Sequence, residues 1–156
     1  MRDVEVISML KGSMSLINLG IPSLPRHLKR LGGAQLPNGD LLISGGAMSK
    51  TSGWNDEYFH YKEGSNQWEK VGTMKRARLG HSSVLIDGNL LTAGGCDWLD
   101  SSAKLLSNHE EFSINGGEKE RTNMPIALTH HAAAVFGKHT ILISGGLDAK
   151  VDETFS

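Results

Sequence analysis

The chain has 156 residues, 16 basic against 17 acidic side chains, and one cysteine, Cys96. This length suffices for one domain with a substantial core. The balanced charge disfavours nonspecific nucleic-acid binding, the single cysteine excludes an internal disulfide, and no apolar stretch reaches the ~20 residues that span a bilayer. Acidic residues interrupt the start, where a signal peptide would have an apolar core. We therefore expect a cytoplasmic protein with neither nucleic-acid nor membrane partners.

The predicted elements are short strands joined by turns. Strands at 4–7 and 14–19 precede a proline-containing breaker at 21–25 and a basic segment that includes Arg26 and Arg30. A hairpin follows at 31–36 and 41–44, with Asn38-Gly39 in its turn, where we expect two positive φ angles. A loop at 47–56 then leads to strands at 57–61 and 67–71.

The same order of elements returns twice. A second basic segment, with Arg76 and Arg78, precedes a hairpin at 81–86 and 90–93. A loop at 96–104, a strand at 105–112 and a weak outer strand near 119–122 follow. A third hairpin is predicted at 129–136 and 141–144, and residues 151–155 resemble the start of another strand. No window has apolar residues at helical spacing, so no helix is predicted.

Three of these apolar runs end in a glycine pair. The pairs are Gly45-Gly46, Gly94-Gly95 and Gly145-Gly146, and their first members are 49 and then 51 residues apart. A period near 50 residues indicates a repeat protein and is typical of propeller blades.

The middle repeat shows the clearest motif. Its residues are Tyr61, Asn66, Trp68, Met74, Arg78, Gly80, His81, Ser82, Gly94 and Gly95. The chain resembles the kelch-repeat β-propeller family in these residues and over nearly its whole length. The resemblance implies four-stranded antiparallel blades, with strands a to d in chain order. It places the glycine pair at the end of strand b, Tyr61 on strand c and Trp68 at the start of strand d. The next blade departs from the pattern, because Phe112 replaces the tyrosine and Lys119 falls where a tryptophan is expected.

The predicted fold is therefore all-β: an incomplete kelch-type propeller of two full blades flanked by half-blades. The half-blades are 1–24 and 125–156, and the blades are 25–74 and 75–124. Propellers close with about 4–8 blades, so three blade-equivalents leave strand edges exposed. Two interpretations remain open. The chain is part of a longer kelch protein, or two copies form a six-bladed ring in which 128–156 and the partner's 1–20 share a blade. The predicted strand at 151–155 would over-supply that junction.

Connections in an antiparallel meander alternate between its two ends. The b–c loops and the d–a segments therefore share one end, and this end carries the candidate binding residues Arg26, Arg30, Arg76, Arg78, Trp54 and Trp98. Loops on a rigid scaffold favour binding, which predicts a non-catalytic module for a protein partner such as an acidic peptide. Alternatively, either tryptophan folds back over a blade, and Arg78 is structural, since the family commonly has an arginine there.

Other functions known for kelch proteins remain alternatives. One is the substrate-recognition part of a cullin-3 ubiquitin ligase adaptor, and another is actin binding. A third is a remnant of a galactose-oxidase-like copper enzyme, which requires a Cys–Tyr crosslink. Against it, Tyr58 and Tyr61 lie on one predicted outer strand, and His130 and His131 would point to opposite faces of a strand. We expect no enzyme activity, metal or cofactor.

Overall fold

The computed structural model describes residues 6–10, 13–17, 20–49, 53–99 and 102–148, and every regular element among them is a β-strand. The predicted all-β class is confirmed. No helix occurs in these ranges, and so none that is long and apolar enough to cross a membrane. The predicted strand at 151–155 lies outside the described residues.

The strands follow one another at short intervals. In chain order they are β1 (Val6–Leu10), β2 (Ser13–Ile17), β3 (Gly32–Gln35), β4 (Leu41–Ser44), β5 (Ala47–Ser49), β6 (Gly53–Trp54), β7 (Glu57–Tyr61), β8 (Trp68–Thr73), β9 (Ser82–Ile86), β10 (Asn89–Ala93), β11 (Cys96–Leu99), β12 (Ser102–Leu105), β13 (His109–Ser113), β14 (Gly117–Glu120), β15 (Ala132–Phe136) and β16 (Thr140–Ser144).

Two antiparallel sheets have four strands each. The first sheet has the order β3-β4-β7-β8, and the second has the order β9-β10-β13-β14. In both, strand a pairs with b, b with c and c with d, although a two-stranded hairpin lies between b and c in the sequence. A leading hairpin, β1–β2, precedes the sheets, and a terminal hairpin, β15–β16, follows them. None of the described sheets closes on itself.

The two sheets repeat each other residue by residue. Leu41 pairs with Tyr61 in the first sheet, and Leu90 pairs with Phe112 in the second. Trp68 lies opposite Tyr61, whereas Glu118 lies opposite Phe112. The prediction that Lys119 stands at the tryptophan position is therefore wrong by one residue, because the c–d turn is shorter in the second sheet.

The two predicted b–c loops are small hairpins instead. β5 pairs with β6, and β11 pairs with β12, so 47–56 and 96–104 contain strands. The predicted strand at 105–112 is also divided, since β12 ends at Leu105 and β13 begins at His109. Each hairpin is closed at its base. Asn55 N donates to Gly46 O at 2.7 Å, and Leu106 N donates to Gly95 O at 2.9 Å.

The prediction for the first a–b turn is wrong in its backbone angles. Only Gly39 has a positive φ, of 93°, and Leu36 N donates to Asp40 O at 2.8 Å around a three-residue loop. A three-residue loop accommodates a type I turn followed by one left-handed residue. Two positive angles occur in the second sheet, at Asp87 with φ 50° and Gly88 with φ 77°.

The core lies between successive sheets. One cluster joins Leu42, Tyr58 and Met74 to Leu90 and Phe112 of the second sheet. A second cluster has Val84, Leu91 and Ala93 at its centre, with Met124 and Ala133 among the residues packed against it. β9 accordingly lies between β3 and β15. The glycine pairs allow this approach, because a Cβ on Gly45 would lie 2.6 Å from Arg78 O and one on Gly94 would lie 2.6 Å from Leu128 O.

Candidate binding face

The b–c hairpins and the d–a segments lie together, and we call this end of the sheets the connection face. Each d–a segment is hydrogen-bonded to the connection that leaves strand b of its own repeat. Lys29 N donates to Ala47 O at 2.9 Å, Leu79 N to Cys96 O at 3.1 Å, and Thr129 N to Leu147 O at 3.0 Å. These bonds hold the basic segments to the sheets.

Arg26 forms an ion pair with a buried carboxylate. Its guanidinium lies 3.1 Å from Glu57, and its side chain is 44% exposed. Lys70 also contacts Glu57, at 2.9 Å from Nζ to Oε1. Glu57 is thus neutralised by two cations, of which Arg26 belongs to the connection face.

Arg76 lies beside a shallow, open depression of about 450 Å³. Lys75, Ala77, Asp97 and Glu120 complete its lining. Arg76 Nη1 is 3.7 Å from Asp97 Oδ2, and Lys75 Nζ is 2.9 Å from Glu120 Oε2. The latter contact raises the pKa of Lys75 and lowers that of Glu120. Two cations and two carboxylates therefore line the depression, which suits a ligand with both donors and carboxylates.

Arg78 is completely buried and is not part of the accessible face. Its Nη1 donates to Gly94 O at 2.9 Å and to Asn108 O at 3.2 Å, and its Nη2 forms a close ion pair with Glu110. The expectation that Arg78 contacts a partner is corrected by this burial. Its guanidinium instead satisfies two backbone carbonyls and a carboxylate within its own repeat.

In the first sheet, a different side chain donates to the two equivalent backbone carbonyls. Asn55 Nδ2 donates to Gly45 O at 3.0 Å and to Glu57 O at 3.2 Å, the carbonyls equivalent to those that Arg78 contacts. The registers place Leu28 at the position of Arg78 and Phe59 at that of Glu110, and both are buried. An apolar pair in one repeat is thus an ion pair in the next.

Arg30 is exposed and has a left-handed backbone, with φ 57°. Gly80 and His130 occupy the equivalent positions with φ 63° and 56°. Gly80 N donates to Arg30 O at 3.1 Å, and His130 N donates to Gly80 O at 2.6 Å. Among the residues that the structure describes, no carboxylate lies within ion-pair distance of Arg30. The prediction that His130 lies in a strand is wrong, because β15 begins at Ala132.

The two candidate tryptophans lie on the b–c hairpins. Trp54 is half-buried and pairs with Ala47, and Trp98 lies on β11 opposite Ala103. Trp68 has a different position, since its Nε1 donates to Pro22 O at 2.9 Å and its ring centroid lies 5.4 Å from that of Tyr61.

A buried polar network lies beneath the face, at the start of strand a. Ser44 Oγ is 3.1 Å from His81 Nε2, 3.1 Å from Ser83 Oγ and 3.3 Å from Thr92 Oγ1. Burial, and secondarily the charge of Arg78, lowers the pKa of His81 to about 3. His81 is therefore neutral at physiological pH and acts as a packed hydrogen-bonding group.

The described residues contain no group of three or more His, Cys, Asp or Glu that could hold a metal ion. Burial raises the pKa of Cys96, and the Tyr58 ring is stacked inside the core.

Sequence reasoning missed Glu57 and Glu110, the buried carboxylates that pair with Arg26 and Arg78. Glu57 and Glu110 lie at or near the start of strand c, and both are buried against cations that come from distant segments. An isolated acidic residue in a strand has the same local pattern as a solvent-exposed one. Glu57 and Glu110 differ from exposed carboxylates only because the fold brings an arginine next to each of them, from 31 and 32 residues away in the sequence.

Fold and face together define a class: an all-β protein built from repeated small antiparallel sheets, with its basic segments gathered at one end. No protein-family model matches the chain, and no curated protein does. The solved structure of YjhT is similar in fold, with a TM-score of 0.68 at 16% sequence identity. The match covers 83% of this chain and 37% of that one, so this chain spans little more than a third of its neighbour.

Proposed function

We propose that this chain is part of a kelch-type β-propeller and serves as a non-catalytic protein-interaction module in the cytoplasm. The repeat itself supports the architecture. The first glycines of the three pairs have similar φ angles of 62°, 63° and 69°. The d–a segments at 74–81 and 124–131 pack on Gly45 and Gly94, the first glycines of the preceding repeats. The likeness to YjhT supports the fold and carries no function.

The connection face is the proposed binding surface, and its ligand is an acidic peptide segment. The observation that carries this proposal is the recurrence of exposed guanidinium groups in equivalent d–a segments, Arg26 and Arg30 in the first and Arg76 in the second. Arg30 has no carboxylate partner among the described residues, while Arg26 and Arg76 remain 44% exposed beside theirs. Arginine binds carboxylates in a bidentate manner, so a peptide carboxylate can displace or share these contacts.

The tryptophans would provide the apolar anchor. A buried Trp contributes far more than an exposed ion pair, which is worth about 0–1 kcal/mol. Trp54 and Trp98 lie on the two b–c hairpins, beside the basic segments. A peptide that combines acidic residues with one apolar side chain therefore fits this face best.

Phage-displayed peptides rich in Asp and Glu test the proposal. A selected peptide is synthesised with a fluorophore, and its binding is measured by anisotropy. We expect Arg30→Ala, Arg76→Ala and Trp98→Ala each to weaken binding roughly tenfold. The control is Lys138→Ala, in an a–b turn at the opposite end, which should leave binding unchanged. Unchanged affinity in both Arg76→Ala and Trp98→Ala would contradict the proposed face.

A further inference from the structure

Three residues with left-handed backbones lie in series across the connection face, one in each d–a segment. They are Arg30, Gly80 and His130, with φ angles of 57°, 63° and 56°. Gly80 N donates to Arg30 O at 3.1 Å, and His130 N donates to Gly80 O at 2.6 Å. We call these three residues the left-handed row. Its two backbone bonds hold Arg30 and His130 on either side of one glycine, although 100 residues separate them in the sequence.

The row has a buried middle and two exposed ends. Gly80 is buried, whereas Arg30 and His130 are exposed. The His130 ring lies against Gly80, because a Cβ on Gly80 would be 3.1 Å from His130 Cε1 and 3.2 Å from Nε2. A glycine at the middle position therefore leaves room for the imidazole to lie along the row.

Thr129 fixes the hydrogen-bonding role of this imidazole. Thr129 is buried, and its Oγ1 donates to Gly80 O at 3.4 Å and lies 3.2 Å from His130 Nδ1. Because the hydroxyl proton is directed to Gly80 O, Nδ1 is assigned as the donor to Thr129 Oγ1. Among the described residues, no hydrogen-bond partner contacts His130 Nε2. This nitrogen is an acceptor in the neutral ring and becomes a donor when the imidazole is protonated.

Arg30 is the permanent charge of the row. In the part of the chain that the structure describes, no carboxylate lies within ion-pair distance of its guanidinium. Its charge reaches the imidazole, since burial and, secondarily, Arg30 lower the pKa of His130. Two like charges side by side are unfavourable, so an anion held between them would favour the protonated imidazole.

Other ionisable side chains belong to the segments around the row, namely Lys29, Cys96, Asp97, His131 and Asp148. Burial raises the pKa of the Cys96 thiol, which therefore stays uncharged near neutral pH. Asp97 Oδ2 faces Arg76, at 3.7 Å from its Nη1. His131 Nε2 is 2.8 Å from Ser82 Oγ. Arg30 remains the charged side chain that acts on the His130 imidazole.

We propose that Arg30 and His130 together bind one carboxylate of an acidic peptide, which pairs with the guanidinium in a bidentate manner and accepts a hydrogen bond from the protonated imidazole at Nε2. This inference rests on the proposed function and specifies where its ligand is held. The planar guanidinium matches a carboxylate in geometry. His130 takes its proton from solvent as the carboxylate binds, so the affinity should rise as the pH falls.

Acetate tests the site without any peptide. The isotope-labelled 156-residue chain is titrated with sodium acetate against sodium chloride at equal ionic strength, and NMR follows the Arg30 Nε–H and His130 ring signals. Both signals should shift and saturate by about 100 mM acetate, a range at which equal ionic strength removes general screening effects. Binding should be at least about threefold tighter at about pH 5.5 than at about pH 7.5.

Three asparagine variants separate the two roles. Arg30→Asn should weaken acetate binding at least about tenfold, and asparagine tolerates the left-handed backbone there. His130→Asn should retain weaker binding that no longer depends on pH. The matched control is Lys138→Asn, which removes one positive charge in an a–b turn at the opposite end and should leave binding unchanged. Should Arg30→Asn fail to fold, Arg30→Lys replaces it, and the loss of bidentate pairing should weaken binding at least about threefold.

The absence of saturating shifts at Arg30 and His130 would overturn the site. Equal affinities of Arg30→Asn and Lys138→Asn would do the same, and so would inorganic phosphate binding at least about tenfold more tightly than acetate. An acidic peptide with a free or an amidated C terminus then identifies the source of the carboxylate. Lower affinity after amidation assigns the chain end, and equal affinity assigns an Asp or Glu side chain.

Failure of the proposed function gives a different result. Acetate would then bind at Arg30 and His130, while no acidic peptide is selected by the connection face. Conversely, peptide binding that Arg30→Asn leaves unchanged would overturn the site and leave the face to Arg76 and Trp98.

Discussion

The Tyr58 ring stacks on the Phe112 ring, with centroids 4.2 Å apart and planes inclined by 15°. The two residues lie on strand c of successive sheets, so this contact joins one repeat to the next. Both are almost completely buried, and a Cβ on Gly72 would lie 2.5 Å from the Phe112 ring. The two sheets are therefore closely packed at this contact.

Truncating this contact should destabilise the protein strongly. Phe112→Ala removes a fully buried ring and leaves a cavity, so we expect the free energy of unfolding to fall by about 3–5 kcal/mol. Urea denaturation followed by fluorescence measures the loss. Ile114→Ala, at a side chain that is 42% exposed, is the control and should cost about 0.5 kcal/mol or less. Equal losses would show that the stacked pair is not part of the core.

The Arg78–Glu110 pair should behave as a unit. Arg78→Leu leaves Glu110 buried without its cation, which should cost about 3–5 kcal/mol. Arg78→Leu with Glu110→Phe recreates the Leu28 and Phe59 arrangement of the first sheet and should recover at least about 1 kcal/mol of that loss. The recovery stays incomplete because Gly94 O and Asn108 O lose their donor. A double-mutant cycle by denaturation checks this, and strict additivity would contradict it.

The free energy of unfolding should decrease as the pH is lowered, because buried His81 resists protonation. Its pKa is lowered to about 3 in the folded protein, so below about pH 6.5 the unfolded chain binds a proton that the folded chain does not. The stability that depends on a neutral His81 is fully present above pH 6.5. It is lost as the pH falls towards 3, at up to about 1.4 kcal/mol per pH unit. Urea titrations between pH 6.5 and 5 avoid most carboxylate titration.

The matching variant is His81→Leu, the residue found at the equivalent position 31 in the first sheet. It should flatten the pH dependence by about one proton. An unchanged slope in His81→Leu would place the pH dependence on other groups, among which His109, His130 and His131 also have lowered pKa values.

Two glycines of the second sheet, Gly94 in a pair and Gly88 in a turn, should tolerate substitution unequally. Gly94→Ala and Gly88→Ala impose a similar left-handed strain, since their φ angles are 63° and 77°. Only the Gly94 Cβ would meet a neighbour, at 2.6 Å from Leu128 O. We expect Gly94→Ala to cost about 1–3 kcal/mol more than Gly88→Ala in thermal unfolding, because backbone must move. Comparable melting temperatures would mean that the following repeat is not seated on this pair.

Local features of the fold were predictable from the sequence. The strands, their turns and the three glycine pairs follow from alternating apolar residues and from Gly at turns, which are properties of a few consecutive residues. The b–c hairpins escaped prediction because their polar segments lack that alternation. The two basic segments were also predicted at their correct places in the first and second repeats, since their charge can be read from the sequence without knowledge of a partner.

What the sequence by itself determined is thus the order of strands, their period and the end of each sheet at which the basic segments lie. Only the tertiary structure decided which arginines remain accessible: Arg78 is buried with Glu110, Arg26 shares Glu57 with Lys70, and Arg30 stays unpaired in the described residues. The physical reason is distance along the chain. A strand pattern is encoded by neighbours, whereas Arg26 meets Glu57 and Arg78 meets Glu110 across 31 and 32 residues, and only after the sheets have packed.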